Sequence, residues 1–266
     1  SLTYPYDHRG LFQLYSKDNT TQFNNDTNTQ IIGGGCLDPT SEVELNIGNV
    51  RTTILGGGDM WWNLTAAQYE VPKDEGVHSL FAGSLWIGGI DNQDNLKIAA
   101  MTYRQTGSDF YPGPLNANTD SEDYGTTNYD DCNSYDTHWV VSKNDVEAYV
   151  NYLDCLNDTE CDEVNVFSGY EIPNTIENWP ASHFDFDGTN EYLAPFIDVD
   201  GDGIYNNSDY PGYDLSADGN CFENDYLFGD QSIWWVFNDN GNIHGETGGT
   251  PIGLEIQAQA FAYKTT

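Results

Sequence analysis

The sequence predicts a mainly β protein with sandwich-like antiparallel sheets, long Asp/Asn-rich loops and one short helix. Three observations support this fold class. Aromatic residues make up 14% of the 266 residues, and large aromatic side chains are typical of strands and folded cores. Short apolar runs are separated by clusters of Gly, Asn and Asp, as in strands joined by turns. One segment has the spacing of an amphipathic helix.

The charge balance excludes several classes of partner. The chain has 43 acidic and eight basic residues, a formal net charge of −35 and a pI of about 4.1. Nucleic acids and anionic membrane surfaces are bound by clusters of basic residues, which this chain lacks. High net charge is also typical of disordered chains, but seven Trp, 18 Tyr and 12 Phe indicate a folded protein.

The first half of the chain is expected to form an N-terminal arm followed by strands. Residues 1–35 are polar and aromatic, as in an arm or irregular hairpin. Residues 43–54 alternate around Gly48-Asn49 and predict a strand pair. Residues 79–90 and 96–104 are apolar runs around an Asn/Asp turn and predict a hairpin.

The second half contains two further strand signals. Residues 232–238 are followed by Asn240-Gly241, which predicts a type I′ hairpin turn before Ile243. Alternation in the same run predicts that one of Trp234 and Trp235 faces the core and the other faces out. Residues 255–266 alternate as a final strand, with Ile256 and the alanines that follow on one face.

One helix is predicted after Ser142, which is placed to cap it with Asp145 three residues later. Its apolar positions keep helical spacing: Val146, Tyr149, Val150 and Leu153. A short helical turn is expected over residues 174–179, ended by Pro180. The acidic stretch 116–136 is expected to be a long loop.

These elements predict one continuous domain, with an arm and first strands over 1–55 and the main β domain over 56–266. The final strand ends without a closing turn, so we expect this chain to be the N-terminal part of a longer polypeptide.

Cysteine usage indicates an oxidising compartment. Cys155 and Cys161 flank a short polar loop that a local disulfide would close. The remaining cysteines are Cys36, Cys132 and Cys221. Because five is an odd number, one Cys is either free or paired with another chain. None has a neighbouring His or basic residue in sequence, which disfavours a catalytic thiol.

Residues 198–209, DVDGDGIYNNSD, form the one motif with specific chemistry. Calcium loops place oxygen ligands on alternate residues, a Gly at position 6 and a carboxylate at position 12. The corresponding ligands here are Asp198, Asp200, Asp202, the backbone carbonyl of Ile204, Asn206 and Asp209. Ca²⁺ is therefore the predicted cofactor, because the motif lacks the His and Cys that zinc prefers.

The calcium loop is predicted to be structural. Pro195 precedes the motif and Pro211 follows it, so the helices of an EF-hand are not expected. Such loops in extracellular modules bind calcium with a Kd on the order of 10⁻⁴–10⁻³ M. A second acidic cluster with Asp185, Asp187 and Glu191 has part of the pattern, and Asp225 and Asp230 are further candidate ligands.

Two other functions remain open. Exposed aromatics among Trp61, Trp62, Trp86, Trp234 and Trp235 would suit a carbohydrate-binding module. Paired carboxylates would suit a secreted hydrolase, but in a chain with 43 acidic residues they are not informative. The five His show no metal-binding or catalytic spacing, and no catalytic residue is predicted.

Long runs between Gly56 and Tyr263 combine Gly, aromatic and Asp residues: GGGDMWWNLTAAQYEVPK, HSLFAGSLWIGGID, LKIAAMTYRQTGSDFYPGPL, YLAPFIDVDGDGIYN and GDQSIWWVFNDNGNIHGETGGTPIGLEIQAQAFAY. They resemble a family of large secreted proteins of Bacteroidota exported by the type IX secretion system. The resemblance implies an extracellular or cell-surface location and contact with the secretion machinery during export, but it implies no activity.

Together these observations predict a calcium-stabilised extracellular structural or adhesive protein that is not an enzyme. Its expected partners are surface or extracellular proteins or glycans. No apolar run is long enough to span a membrane.

Overall fold

The computed structural model describes residues 34–103, 106–184, 190–213 and 227–264, together with the backbone of one strand nearer the N-terminus. The four helices of this part are α1 (Tyr129–Ser134), α2 (Lys143–Asn157), α3 (Glu163–Val166) and α4 (Asn174–Glu177). The strands are β1 (Phe12–Ser16), β2 (Glu42–Ile47), β3 (Val50–Leu55), β4 (Asp59–Met60), β5 (Tyr69–Glu70), β6 (His78–Leu80), β7 (Gly83–Ser84), β8 (Trp86–Ile90), β9 (Leu96–Ala100), β10 (Tyr111–Pro112), β11 (Trp139–Ser142), β12 (Ser182–Phe184), β13 (Asn190–Tyr192), β14 (Phe196–Ile197), β15 (Tyr210–Pro211), β16 (Gln231–Asn238) and β17 (Leu254–Ala262). The chain is mainly β, as the sequence predicts.

A five-stranded antiparallel sheet forms the centre of the molecule. Its order is β1-β17-β16-β10, and β11 also pairs with β16. Strands β16 and β17 are the longest, and they pair from Gln231↔Ala262 to Asn238↔Glu255. A second, six-stranded sheet has the order β6-β5-β3-β4-β7, with β2 paired to β3. The sequence places a boundary at residue 55, between the first strands and the main β domain. Strand β3 pairs with β2 before this boundary and with β4 and β5 after it.

The central sheet is covered on both faces. Trp234 packs with helix α2 and its neighbours in one buried cluster, which includes Val146 and Tyr149. Trp235 packs in a second buried cluster with residues of β2, β3 and β9. Both Trp side chains are 3% exposed, so the prediction that one of them faces out is wrong. Consecutive strand residues point to opposite faces, and here both faces are layers of the core.

Helix α2 begins as its sequence predicts. The Ser142 side chain accepts a hydrogen bond from the Asp145 amide and donates one to the Asp145 carboxylate. This pair satisfies one of the free amides at the helix start. Helix α4 lies within the predicted turn 174–179. Helix α1, by contrast, lies within the stretch 116–136 that was expected to be a loop.

The prediction of a tight turn at Asn240-Gly241 is wrong. Strand β16 pairs with β17, and residues 239–253 connect them. Gly241 does not have a positive φ. A Cβ atom there would lie 2.5 Å from Tyr111 Cβ, so this Gly allows a close approach of backbone to side chain rather than a turn.

The predicted hairpin over 79–104 is confirmed only for its inner part. Strands β8 and β9 form a two-stranded sheet from Trp86↔Ala100 to Ile90↔Leu96. The preceding apolar residues belong to other strands: β6 pairs with β5, and β7 pairs with β4. The strand pair predicted over 43–54 is β2 and β3, joined at Gly48 with a φ of 59°.

Two disulfides link described residues. Cys155–Cys161 closes the polar loop after helix α2, as predicted. Cys36–Cys132 joins segments 96 residues apart in sequence and packs against Tyr111. Cys221 lies outside the described residues, as does most of the predicted arm 1–35, of which the backbone of β1 is described.

Candidate metal centre

The predicted calcium loop is the connection between two short paired strands. Strand β14 precedes it and β15 follows it, with Phe196 opposite Pro211 and Ile197 opposite Tyr210. Tyr210 is buried, and Phe196 packs against the same cluster as helix α2. The loop is thus closed by an antiparallel ladder attached to the core, in place of the helices of an EF-hand.

Three carboxylates of the loop converge. Asp198, Asp200 and Asp202 each offer one oxygen, and these oxygens lie within 4.8 Å of one another. All three residues are exposed. They form the one such group of three or more potential metal ligands in the part of the chain that the structure describes.

Backbone amides of the same loop hold these carboxylates in place. Asp198 accepts hydrogen bonds from the amides of Gly201, at 2.7 Å, and Gly203, at 2.9 Å. Asp200 and Asp202 each accept one from the amide two residues later. Gly201 and Gly203 have φ values of 76° and 79°, a conformation that Gly adopts without the strain of a Cβ atom.

Asn206 connects the carboxylate group to the rest of the loop. Its side-chain Nδ2 donates to Asp200 Oδ2 at 3.1 Å and to the Ile204 carbonyl at 3.2 Å. The hydrogen bond from Asn206 is the main cause that lowers the pKa of Asp200 below its usual value. Asp200 therefore remains ionised, as a calcium ligand must be.

Asp209 has a different position. It is fully buried, and its carboxylate accepts hydrogen bonds from the Val199 amide at 2.9 Å and the Asn206 amide at 2.8 Å. Burial raises its pKa. Asp209 ties the two ends of the loop together next to the three converging carboxylates, so its role as a direct ligand stays a prediction, as do those of Ile204 and Asn206.

Tyrosines couple the loop to the helices. The Tyr149 hydroxyl on α2 donates to the Asn207 carbonyl at 2.7 Å, and the Tyr205 hydroxyl donates to the Ile176 carbonyl on α4 at 2.6 Å. The Tyr205 ring also packs edge-on against Phe196 at 5.5 Å. A change in loop geometry would therefore alter the packing of the core cluster that contains residues of α2 and α4.

The donor set fits a hard divalent cation. Every converging atom is a carboxylate oxygen, and flexible oxygen-rich loops suit calcium better than the small octahedral shell of magnesium. The residues present thus fit Ca²⁺, and binding would offset part of the repulsion among three adjacent carboxylates.

The second acidic cluster is only partly described. Asp185 and Asp187 lie outside the described residues, as does Asp225. Glu191 is buried on β13 and accepts a hydrogen bond from the Ala117 amide. Asp230 lies beside β16, where it accepts one from the Lys264 amide at 2.6 Å. Neither of these two belongs to the converging group.

The aromatic residues considered for sugar binding have diverse environments. Trp62, Trp234 and Trp235 are buried, and Trp61 is half-buried. Trp86 is 69% exposed, with its indole N–H donating to the Met101 carbonyl at 2.6 Å. Other exposed aromatics nearby in sequence are Phe81 and Tyr103, whose rings lie 5.8 Å apart.

Sequence reasoning missed a buried polar cluster around His244. The side chains of Asp109, Asp239 and His244 are fully inaccessible to solvent. The sequence contains no signal for this cluster, because residues far apart in the chain form it and no motif spacing connects them.

Comparison with protein-family models, with curated proteins and with solved structures found no match to this chain. Among the described residues, the helices are too short or too polar to cross a membrane. The chemistry of the site and the fold must therefore support any functional conclusion.

Proposed function

We propose that this chain is a calcium-stabilised region of an extracellular structural or adhesive protein. The observation that carries the proposal is the group of Asp198, Asp200 and Asp202, displayed on a loop that an antiparallel ladder closes. Calcium in this loop would stiffen the connection between β14 and β15 and, through Tyr149 and Tyr205, the packing of α2 and α4.

Compartment and charge support an extracellular location. Two disulfides join described residues, and disulfides persist in oxidising environments. A net charge of −35 favours solubility and is partly neutralised where calcium is abundant. The resemblance to secreted proteins of Bacteroidota adds export by the type IX system to the proposal, with surface proteins or glycans as partners. The proposal assigns the chain no catalytic activity.

The test is the effect of calcium on thermal unfolding. A ligand that binds only the folded state stabilises it by RT ln(1 + [L]/Kd). For a Kd on the order of 10⁻⁴–10⁻³ M, calcium at ~10 mM should add about 1.4–2.7 kcal/mol. The double variant Asp200→Asn/Asp202→Asn should lose this gain while keeping the side-chain acceptors of the loop.

A matched control separates site binding from general charge screening. Asp120 and Asp154 are exposed and lie outside the converging group. Their double Asn variant removes the same number of charges and should keep the full calcium response. Equal melting of the wild type with calcium and with chelator would refute the calcium site, as would an equal response of both double variants.

A second candidate function is carbohydrate binding, favoured by Trp86. Its ring is exposed, and its N–H is fixed by the Met101 carbonyl, so it offers a flat apolar surface with little freedom to lose on binding. A glycan array in millimolar calcium, repeated with chelator and with Trp86→Ala, would test it. Binding that Trp86→Ala abolishes would support this function, and a blank array from folded protein would refute it.

A further inference from the structure

His244 makes two short hydrogen bonds in the segment that connects β16 to β17. Its Nδ1 lies 2.7 Å from the Ile98 carbonyl oxygen on β9, and its Nε2 lies 2.7 Å from the Asp239 carbonyl oxygen at the end of β16. The ring is inaccessible to solvent. It thus bridges the β8–β9 hairpin and the central sheet.

Both partners are carbonyl oxygens, which accept hydrogen bonds and never donate them. A neutral imidazole carries one N–H, so it could satisfy one of the two contacts and would direct a lone pair at the other oxygen. Only the imidazolium form donates from both nitrogens. Hydrogen-bond geometry alone therefore assigns a positive charge to this buried ring.

Two buried carboxylates balance that charge. Asp109 Oδ2 lies 3.8 Å from Nδ1 and Asp239 Oδ2 lies 3.9 Å from Nε2. Buried charges are costly unless they are paired and hydrogen-bonded. The three side chains meet this condition together, since each aspartate lies on a different side of the ring.

Each carboxylate is also saturated with donors. Asp109 accepts from the Ala100 amide at 3.0 Å, the Glu246 amide at 2.9 Å, and the Thr247 amide and hydroxyl at 3.2 and 2.6 Å. Asp239 accepts three amide hydrogen bonds of 2.6–2.9 Å from residues 252–254. Burial raises the pKa of Asp239, and these amides and the His244 charge oppose that rise.

The other ionisable groups near the ring are engaged elsewhere. The Glu246 carboxylate accepts from Thr102, Thr106 and Gly107. The Tyr111 hydroxyl shares its one proton between the carbonyls of Ser108 and Ile243. Lys97 precedes Ile98 on β9, and its charge interacts with Asp91 in the hairpin turn. In the described structure, Asp109 and Asp239 are thus the carboxylates that pair with His244.

We propose that His244 is a buried imidazolium that holds the β8–β9 hairpin to the central sheet, so that loss of its positive charge releases the hairpin. Loss of the proton removes one donor from a buried carbonyl and leaves two buried carboxylates without their cation, and both changes destabilise the closed arrangement. The β8–β9 pair is a separate two-stranded sheet, so its release would leave the pairing of β16 with β17 in place.

The first test is NMR of protein labelled with ¹⁵N-histidine at pH 7. Protons on both ring nitrogens of His244 are expected, and a resonance pattern with a single N–H would overturn the proposal. This measurement uses the wild type, so it decides the charge state even where a variant fails to fold.

The second test is hydrogen exchange at the hairpin. The Ile98 amide donates to the Thr250 carbonyl, and the Thr247 amide donates to Asp109. His244→Gln should accelerate exchange at both by about 10- to 100-fold, as expected for loss of a charged hydrogen bond. His78→Gln is the matched control, because His78 is exposed. Equal exchange in the two variants would overturn the role of His244.

His244→Gln should also increase exchange at the Ile98 amide more than at the Trp235 amide in the central sheet. A uniform increase at both amides would overturn the selective release of the hairpin.

Discussion

Asp59 provides the sharpest stability prediction in this fold. It is 3% exposed, and its carboxylate accepts a hydrogen bond of 3.0 Å from the Trp62 indole. Burial raises its pKa from 3.8 to about 6. A raised carboxyl pKa in the folded state means that the protonated form is favoured there, so its stabilising contribution is complete below about pH 4 and is lost as pH rises through about 6.

The size of the effect follows from the shift. About two pKa units at 1.36 kcal/mol per unit correspond to about 3 kcal/mol of stability lost between pH 4 and pH 8. Asp59→Asn keeps an acceptor for the Trp62 N–H but cannot ionise. The stability of Asp59→Asn relative to the wild type should therefore rise by about 3 kcal/mol over this pH range.

Urea unfolding at pH 4, 6 and 8 measures this difference. Glu75→Gln is the control, because Glu75 is exposed in the turn before β6 and its removal should leave the pH dependence unchanged. A constant difference between Asp59→Asn and the wild type at all three pH values would refute the reasoning, since it would mean that Asp59 titrates alike in the folded and unfolded states.

Two further predictions concern cross-links and close packing. In the chain-entropy model, loss of the disulfide Cys36–Cys132, with a separation of 96 residues, should lower the free energy of unfolding by about 5 kcal/mol. Loss of Cys155–Cys161, with a separation of six, should lower it by about 2 kcal/mol. Urea denaturation of the two double Cys→Ser variants measures these costs, and equal costs would contradict the prediction. Gly241→Ala should strongly lower the melting temperature because its Cβ would lie 2.5 Å from Tyr111 Cβ, whereas Gly89→Ala, with no atom within 4 Å, should leave it unchanged. Similar melting of the two Ala variants would show that the backbone near Gly241 adjusts to the added carbon.

Local signals in the sequence predicted local structure well. Ser142 and Asp145 cap helix α2 as their spacing indicates, and Gly48 lies in the turn between β2 and β3. The calcium motif also depends on neighbouring residues, and its first three Asp side chains do converge. In each case the atoms that interact are within a few residues of one another in sequence.

Predictions that depend on distant residues were less successful. Asn240-Gly241 has a favourable turn composition, but the Asp239 carboxylate binds the amides of residues 252–254 and thereby directs β16 toward β17. Trp234 and Trp235 are both buried because separate layers cover each face of the sheet. The hydrophobic alternation of one strand contains no information about how many of its faces are covered.

The position of β17 has a consequence for when the protein folds. This strand is the last of those described, yet it lies between β1 and β16 in the central sheet. A chain that emerges from its N-terminus cannot complete the sheet until residues 254–262 are available. Until then β16 can pair with β10 and β11 along one edge, but its other edge lacks β17. Such long-range pairing forms slowly. We therefore expect the central sheet to stay incomplete during synthesis and to close only after Ala262 has emerged.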